Sequence, residues 1–374
     1  MSHIAAALPF WGSLILLPLA AIGATQGGWT VFLLPLYGWV LISFLDVLIG
    51  RDTANPDPAT PETELFWYRL ITLVWFPLQI IAIYGMIWYV THSDHLQLWE
   101  KIALFFGVGV ISGSIGINYS HELMHRANRA ERWLGDLLLA TVLYSHFRTE
   151  HLLVHHRYVG TPRDAVTARY NEGFHRFFYR VLRDGPGSAW RAEKQMLARA
   201  GRGPFHPSNP FWRYGLLQLA SLALAGAVGG LAGIGLFLWQ AFVAVWQLEL
   251  VDYIEHYGLT RQHLGDGRYE HVQPRHSWNA DHRMSNWLLI NLQRHSDHHY
   301  KPDRRFPLLQ TYGAEEAPQL PFGYPAMTTL AMVPPLWRRA MNPRVRAWRR
   351  QFYPEVSDWT DYNTGRLPLP RGAS

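Results

Sequence analysis

Apolar residues in this chain are concentrated in long runs separated by short polar breaks. Runs of about 20 mostly apolar residues mark membrane-spanning helices. Six are legible, at 4–24, 28–49, 68–90, 102–120, 213–231 and 234–255. The last two share one tract, YGLLQLASLALAGAVGGLAGIGLFLWQAFVAVWQLEL, whose centre around Gly229, Gly230, Gly233 and Gly235 offers a turn. The apolar stretch 133–147 is too short to span, so it is expected to dip into the interface or pack on the bundle. The first run does not read as a cleaved leader, because a signal peptide needs a basic start and MSHIAAALPF has none. The pattern predicts an all-α integral membrane protein, one membrane-embedded domain over 1–374.

Charge fixes the expected orientation. The breaks at 24–28 and 230–234 carry no charge, and 91–101 carries one Lys, Lys101. By contrast, 121–211 holds fourteen Lys/Arg and the tail after 256 holds sixteen. Basic loops stay cytoplasmic, and an even number of spans puts both basic regions, 121–212 and 256–374, on that side with both termini. The tail, rich in Pro, Gly and Trp, reads as an ordered helical cap.

Composition agrees. Charged residues make up 17% of the chain, against about 25% in a typical soluble domain, so much of its surface does not face water. The net charge of +6 follows membrane topology and does not signal nucleic acid. Cysteine is absent, which excludes disulfides, iron–sulfur clusters and thiolate-ligated zinc within the chain.

Nineteen histidines supply nitrogen ligands instead. Three clusters stand out: HELMH (His121, His125), HLLVHH (His151, His155, His156) and HSDHH (His295, His298, His299), with His256 alone in DYIEHYGL. On a helix, residues i and i+4 share a face. His121/His125, His151/His155 and His295/His299 can therefore each clamp a metal, while His156 and His298 turn aside towards a second one. Nine imidazoles are too many for one ion and natural for two. All sit at or beyond the cytoplasmic ends of spans, where polar residues are costly and usually functional. Imidazole suits Fe, Zn, Cu and Ni alike, so spacing alone does not name the metal. HExxH is also the zinc-protease signature with Glu122 as base, but a protease has no use for two further clusters. His3, His92, His95, His175, His206 and His263 are read as surface residues; His146, His271, His276 and His282 are candidates for supporting the ligands.

With EHYGL at 255–259, LQRHSDHH at 292–299, RYEHVQPRHSWNADHRMSN and APQLPFGYPAMTTLAMVPPLWRRAMNPRV, the chain resembles the membrane-bound alkane 1-monooxygenases, within the integral-membrane fatty acid desaturase and hydroxylase superfamily. The resemblance runs from about Leu45 to Arg346. It implies a six-helix bundle in the bacterial inner membrane with a non-haem di-iron site facing the cytoplasm, and the nine histidines named above as iron ligands. It further implies insertion of one atom of O2 into a terminal C–H bond, with electrons from NADH through a rubredoxin reductase and a rubredoxin. A chain without cysteine cannot hold a rubredoxin iron, so the donor is expected to be a separate protein drawn to the basic cytoplasmic face. Met124 and Arg126 in the first cluster, Val154 in the second and Ala165 beyond it depart from the family's usual residues. These departures leave open a hydroxylase of alkyl-aromatic or terpenoid methyl groups; the other alternative is a fatty-acyl desaturase, which shares the three clusters but not EHYGL or LQRHSDHH.

Ligating imidazoles normally give their second N–H to a carboxylate or carbonyl, which makes Glu122, Glu150, Asp164, Glu255 and Asp297 the expected partners. An apolar substrate requires a tunnel between spans, for which Gly38 and Asp46 on the second span are the candidates.

Overall fold

A computed structural model describes residues 3–370. Among these residues there is no β-strand, only isolated bridges such as Arg51 to His282. Among the described residues, five helices are long and apolar enough to cross a membrane: α1 (Ile4–Gln26), α2 (Gly28–Ile49), α3 (Glu62–Thr91), α4 (Leu98–Met124) and, further along the chain, Pro210–His256. Large apolar side chains stand exposed along them, among them Leu231 at 88%, Val47 at 74% and Leu216 at 68%. That much exposed apolar surface is what a bilayer covers. The chain is a multi-pass membrane protein.

Between α4 and the last long helix lie α5 (Arg129–Ala140), α6 (Phe147–Glu150) and α7 (Phe174–Arg199); the long helix Pro210–His256 is α8. α5 shows how the short apolar stretch is used. Asn128 caps its start by accepting from Ala130 N and Glu131 N, and Ser120 donates to Gly135 O at 2.8 Å, so α5 packs on α4.

A straight 47-residue helix would run about 70 Å at 1.5 Å per residue, more than twice a bilayer core. α8 breaks at Gly230 (φ 60°, ψ −150°), a conformation open in practice to glycine alone. Across the break, a Cβ on Gly233 would stand 2.5 Å from Ala225 O, so the two halves fold against each other. The turn is therefore tighter than a gap between 231 and 234 suggests. The helices at 62–91 and 98–124 also outrun the apolar cores 68–90 and 102–120, because helix continues past the hydrocarbon boundary.

α4 is the most buried of the long helices. Gly109 and Gly113, four residues apart, let it close on α8 until a Cβ at either position would meet Gln240 O or Ala244 O at 2.7 Å. Small residues at this spacing permit such approach between membrane helices. The contact brings the ends of α4 and α8, which carry His121 and His256, to the same place.

The rest of the chain covers that end: α9 (Arg283–Leu288), α10 (His295–Tyr300), α11 (Tyr324–Ala331), α12 (Pro334–Phe352) and α13 (Thr360–Thr364). Trp278, Tyr257, Trp337 and Val345 form its core.

Candidate metal centre

The three clusters reach the site by different local routes. His121 lies on the last turn of α4 and His125 caps it, so the i, i+4 pair shares a face as expected. The second cluster does not. After α6 the helix passes through a π-turn at His151–His155, followed by helix at His156–Tyr158. In an i→i+5 turn, residues five apart come round to one side, so His151 pairs with His156 and His155 turns away. The expected His151/His155 clamp is thus replaced by a split.

The third cluster sits on α10, six residues that could not hold a helix unaided. Neighbouring polar groups hold it. Arg294 donates to Leu309 O (2.7 Å), Asp52 O and Ala54 O (both 3.1 Å). Asn279 accepts from Ser296 N at 2.9 Å. Asp297 accepts from Tyr312 Oη at 2.7 Å and Gln310 N at 3.0 Å.

All nine histidines converge. Their ligand atoms fall into two groups, each with its members within 4.8 Å of one another: His121, His125, His151, His156 and His298, then His155, His256, His295 and His299. His151 Nε2 stands 2.9, 3.1 and 2.8 Å from Nε2 of His121, His125 and His156. His295 Nε2 stands 3.1 and 3.0 Å from Nε2 of His256 and His299. One ring nitrogen offers either one hydrogen or one lone pair, so it cannot satisfy three such neighbours by hydrogen bonding. A cation can: with metal–nitrogen bonds of about 2.1 Å, ligands at right angles stand about 3.0 Å apart.

Electrostatics point the same way. Burial first, and then the neighbouring imidazoles, hold His125, His151, His156, His295, His298 and His299 well below the usual histidine range. The rings are therefore neutral, the form that ligates metal.

The outer nitrogens set the tautomers. His155 Nδ1 donates to Asp164 Oδ2 at 2.9 Å, which leaves Nε2 as a buried lone pair without a protein partner. Burial opposes ionisation of Asp164, but His155, Thr167 and Val166 N–H together keep its carboxyl below the ordinary value. His256 Nδ1 reaches His276 O at 3.4 Å. His295 Nδ1 lies 3.2 Å from Glu255 Oε1, off the hydrogen-bonding line.

Of the five expected carboxylates, Asp164 and Glu255 thus meet ligand rings. Glu122 faces Arg126 (3.5 Å) and Arg305 (4.0 Å), and Asp297 braces the segment after α10. Glu150 is buried with Oε1 unpartnered; burial and the charges of Asp164 and Glu249 push it well above the ordinary range.

Among the other histidines, His276 joins a buried network with Tyr353 (2.7 Å) and Glu270 (3.3 Å). His146 packs edge-on against Tyr144 and is pushed down to about 4 by burial. Burial, then Arg51, takes His282 to about 4. His271, His92, His95, His175 and His206 are exposed, and His263 is half-buried. The side chain of His3 lies outside the described residues.

Two cavities reach the centre through different histidines. The first, of about 880 Å³, is walled by residues such as Leu16, Leu34, Val110, Ile115 and Leu289, and it ends on His121, His151 and His295. Gly38 and Trp39 are in its wall. Asp46 is not among its lining; it accepts from Ser285 N at 2.8 Å and so ties α2 to α9. The second is an open recess of about 1470 Å³, in which Arg69, Arg126, Arg132, Arg148 and Arg305 surround His125 and His156.

Sequence reasoning missed Gln247, Glu249, Asp252 and Tyr324. Gln247, Asp252 and Tyr324 line the first cavity, and Gln247, Glu249 and Asp252 each carry a buried oxygen without a hydrogen-bond partner. The signal was present in WQLELVDYIEH, where acids recur every third residue inside an apolar run; such charges are rarely idle. With Glu150, Asp164 and Glu255 they bring five buried carboxyl groups beside the nine rings. The donor set fits a two-metal centre.

This bundle and centre define a membrane protein of the fatty acid desaturase family, whose model matches residues 93–331 and includes all nine histidines. The chain is 41% identical over 312 residues to alkane 1-monooxygenase 2 of Pseudomonas aeruginosa, covering 82% of each chain. It is 39% identical over 356 residues to alkane 1-monooxygenase 2 of Alcanivorax borkumensis, covering 91% of this chain and 90% of that one. The xylene/toluene monooxygenase hydroxylase component of Pseudomonas putida is 26% identical over 336 residues, covering 88% and 87%. Within the wider family, the chain belongs to the alkane 1-monooxygenases.

Proposed function

We propose that this protein hydroxylates the terminal methyl group of alkanes, or of similar apolar chains, to primary alcohols with O2 and electrons from a rubredoxin. The observation that carries this reading is the apolar cavity that ends on His121, His151 and His295. Its walls would align a chain end-on against the centre and exclude water, and no cationic side chain lines it to hold a charged head. The metals are two irons, held one by His121, His125, His151, His156 and His298 and the other by His155, His256, His295 and His299. When bound, they supply O2 activation and the oxidising power for C–H cleavage. Asp164 keeps His155 in the ligating tautomer.

α8 crosses twice about Gly230, giving six spans with both termini, the centre and the cap in the cytoplasm of a bacterial inner membrane. This arrangement satisfies the distribution of Lys and Arg. The arginine-lined recess over His125 and His156 suits docking of an acidic carrier.

The deciding experiment feeds alkanes of graded length to cells making the protein and identifies products by GC-MS, with His295→Ala as control. Primary alcohols lost in the variant support the reading. Alkenes would indicate a desaturase, and conversion confined to methylated aromatics would move the substrate class. Iron near two per chain, and a KM for rubredoxin that rises with salt, test the cofactor and the partner.

A further inference from the structure

Terminal hydroxylation consumes protons: O2 + RH + 2e⁻ + 2H⁺ gives ROH + H2O. The apolar cavity wall offers few groups able to supply them. Asp252 is one: it is 5% exposed, it lines the cavity that ends on His121, His151 and His295, and its Oδ2 has no hydrogen-bond partner. One helical turn back, Glu249 accepts from Tyr144 Oη at 2.9 Å through Oε1, while its Oε2 is unpartnered. Residues at i and i+3 on a helix face each other. Buried polar atoms are almost always satisfied, so two free carboxylate oxygens in one short path call for a reason.

Glu150, Asp164 and Glu255 also face this pair. Arg180, whose charge reaches Glu249, is itself held by Glu172 at 2.7 Å. No cationic side chain lines the cavity beside Asp252 to offset a charge there.

We propose that Asp252 donates protons for O2 reduction at the histidine centre and is reloaded from Glu249, which Tyr144 orients. In each transfer Asp252 releases one proton to the reacting oxygen and takes one from Glu249, which solvent reloads between turnovers, while the two electrons come from the donor protein. The proposal rests on the monooxygenase reading above.

The test uses the purified, iron-loaded full-length protein with its electron donor, and counts alcohol and hydrogen peroxide per electron consumed. Asp252→Asn should lower coupled alcohol formation on the order of 10²-fold. Electrons should then leave as peroxide, which takes its protons from bulk water, with iron content unchanged. Asp252→Glu should restore coupling, and Glu249→Gln should slow turnover and change the solvent deuterium isotope effect. A readout independent of turnover is the Asp252 component of the protonated-carboxyl infrared absorption in the metal-free protein, expected as a negative peak in the Asp252→Asn minus wild-type difference spectrum. A wild-type ratio of alcohol to electrons in Asp252→Asn overturns the proposal, as does a difference spectrum without that peak. Should Asp252→Asn fail to fold, an unchanged isotope effect in Glu249→Gln overturns it. Absence of alcohol from the wild-type protein would instead sink the monooxygenase reading.

Discussion

Replacing Asp164 by Asn should empty the four-histidine group while sparing the five-histidine group. The carboxylate takes hydrogens on both oxygens: Val166 N on Oδ1 (3.0 Å), and His155 Nδ1 (2.9 Å) and Thr167 Oγ1 (2.7 Å) on Oδ2. An amide has one acceptor. With its oxygen towards His155, its NH2 meets the Val166 N–H, donor against donor, and a neutral acceptor replaces a charged one. With its NH2 towards His155, the ring must present a bare Nδ1 and move its hydrogen to Nε2, which then cannot ligate. Hydrogen bonds to charged groups contribute about 1.5–3 kcal/mol. Loss of such a partner typically costs metal affinity about 10–100-fold, or about 1.4–2.8 kcal/mol. The two magnitudes agree. The assay dialyses both proteins against graded chelator and counts iron per chain: the variant should fall to one iron at a chelator concentration where the wild type keeps two. Two irons retained with wild-type affinity would refute the assignment of Asp164, and parallel loss of both would refute the independence of the groups.

Glu270→Gln should remove about 1.5–3 kcal/mol of stability. Burial raises the Glu270 carboxyl, but His276, Gln262 N–H and Tyr353 outweigh it and hold it far below the ordinary range. A depressed carboxyl contributes fully above its unfolded value of about 4.3 and loses that contribution as pH falls towards the folded value. The gap in melting temperature between wild type and variant should therefore be flat from about pH 8 to 5 and close in acid; a gap that widens in acid is incompatible with this. Gly258→Ala should lower Tm through a cost of about 1–3 kcal/mol, since Gly258 has φ +70° and a Cβ would lie 2.9 Å from Val345; an unchanged Tm contradicts this. Gly38→Trp places a large ring in the cavity wall, where a Cβ meets nothing within 4 Å. Alcohol products should shift to shorter chains, and an unchanged length distribution would remove Gly38 from the substrate path.

The spans were legible because a bilayer demands long apolar runs, and the histidines because their clusters fall at the ends of those runs. The grouping of ligands was not legible. Spacing gives an angle only once the type of turn is known, and the π-turn at His151–His155 rotates the second cluster so that His151 joins His156. The tertiary fold, not the spacing, sends His298 to one group and its neighbour His299 to the other.

The residues around the ligands show what spacing leaves out. Arg294, Ser296 and Asp297 in LQRHSDHH do not ligate; they fasten a six-residue helix to Leu309, Asn279 and Tyr312. Without them, His295, His298 and His299 would belong to a segment too short to stay helical, and the two groups would lose three of their nine rings. Asp46 serves the same end: although it sits in a span, it holds Ser285, and so α9, against α2. Glu249 and Asp252 went unread for the opposite reason, since a hydropathy window averages two acids into an apolar run of over forty residues. A polar residue in such a run is therefore best questioned singly, by asking which buried atom it satisfies. Asp46 answers through Oδ1 with the Ser285 N–H, which ties two helices together, whereas Asp252 lines the cavity that ends on the histidines, and that difference in place separates a brace from a candidate proton donor.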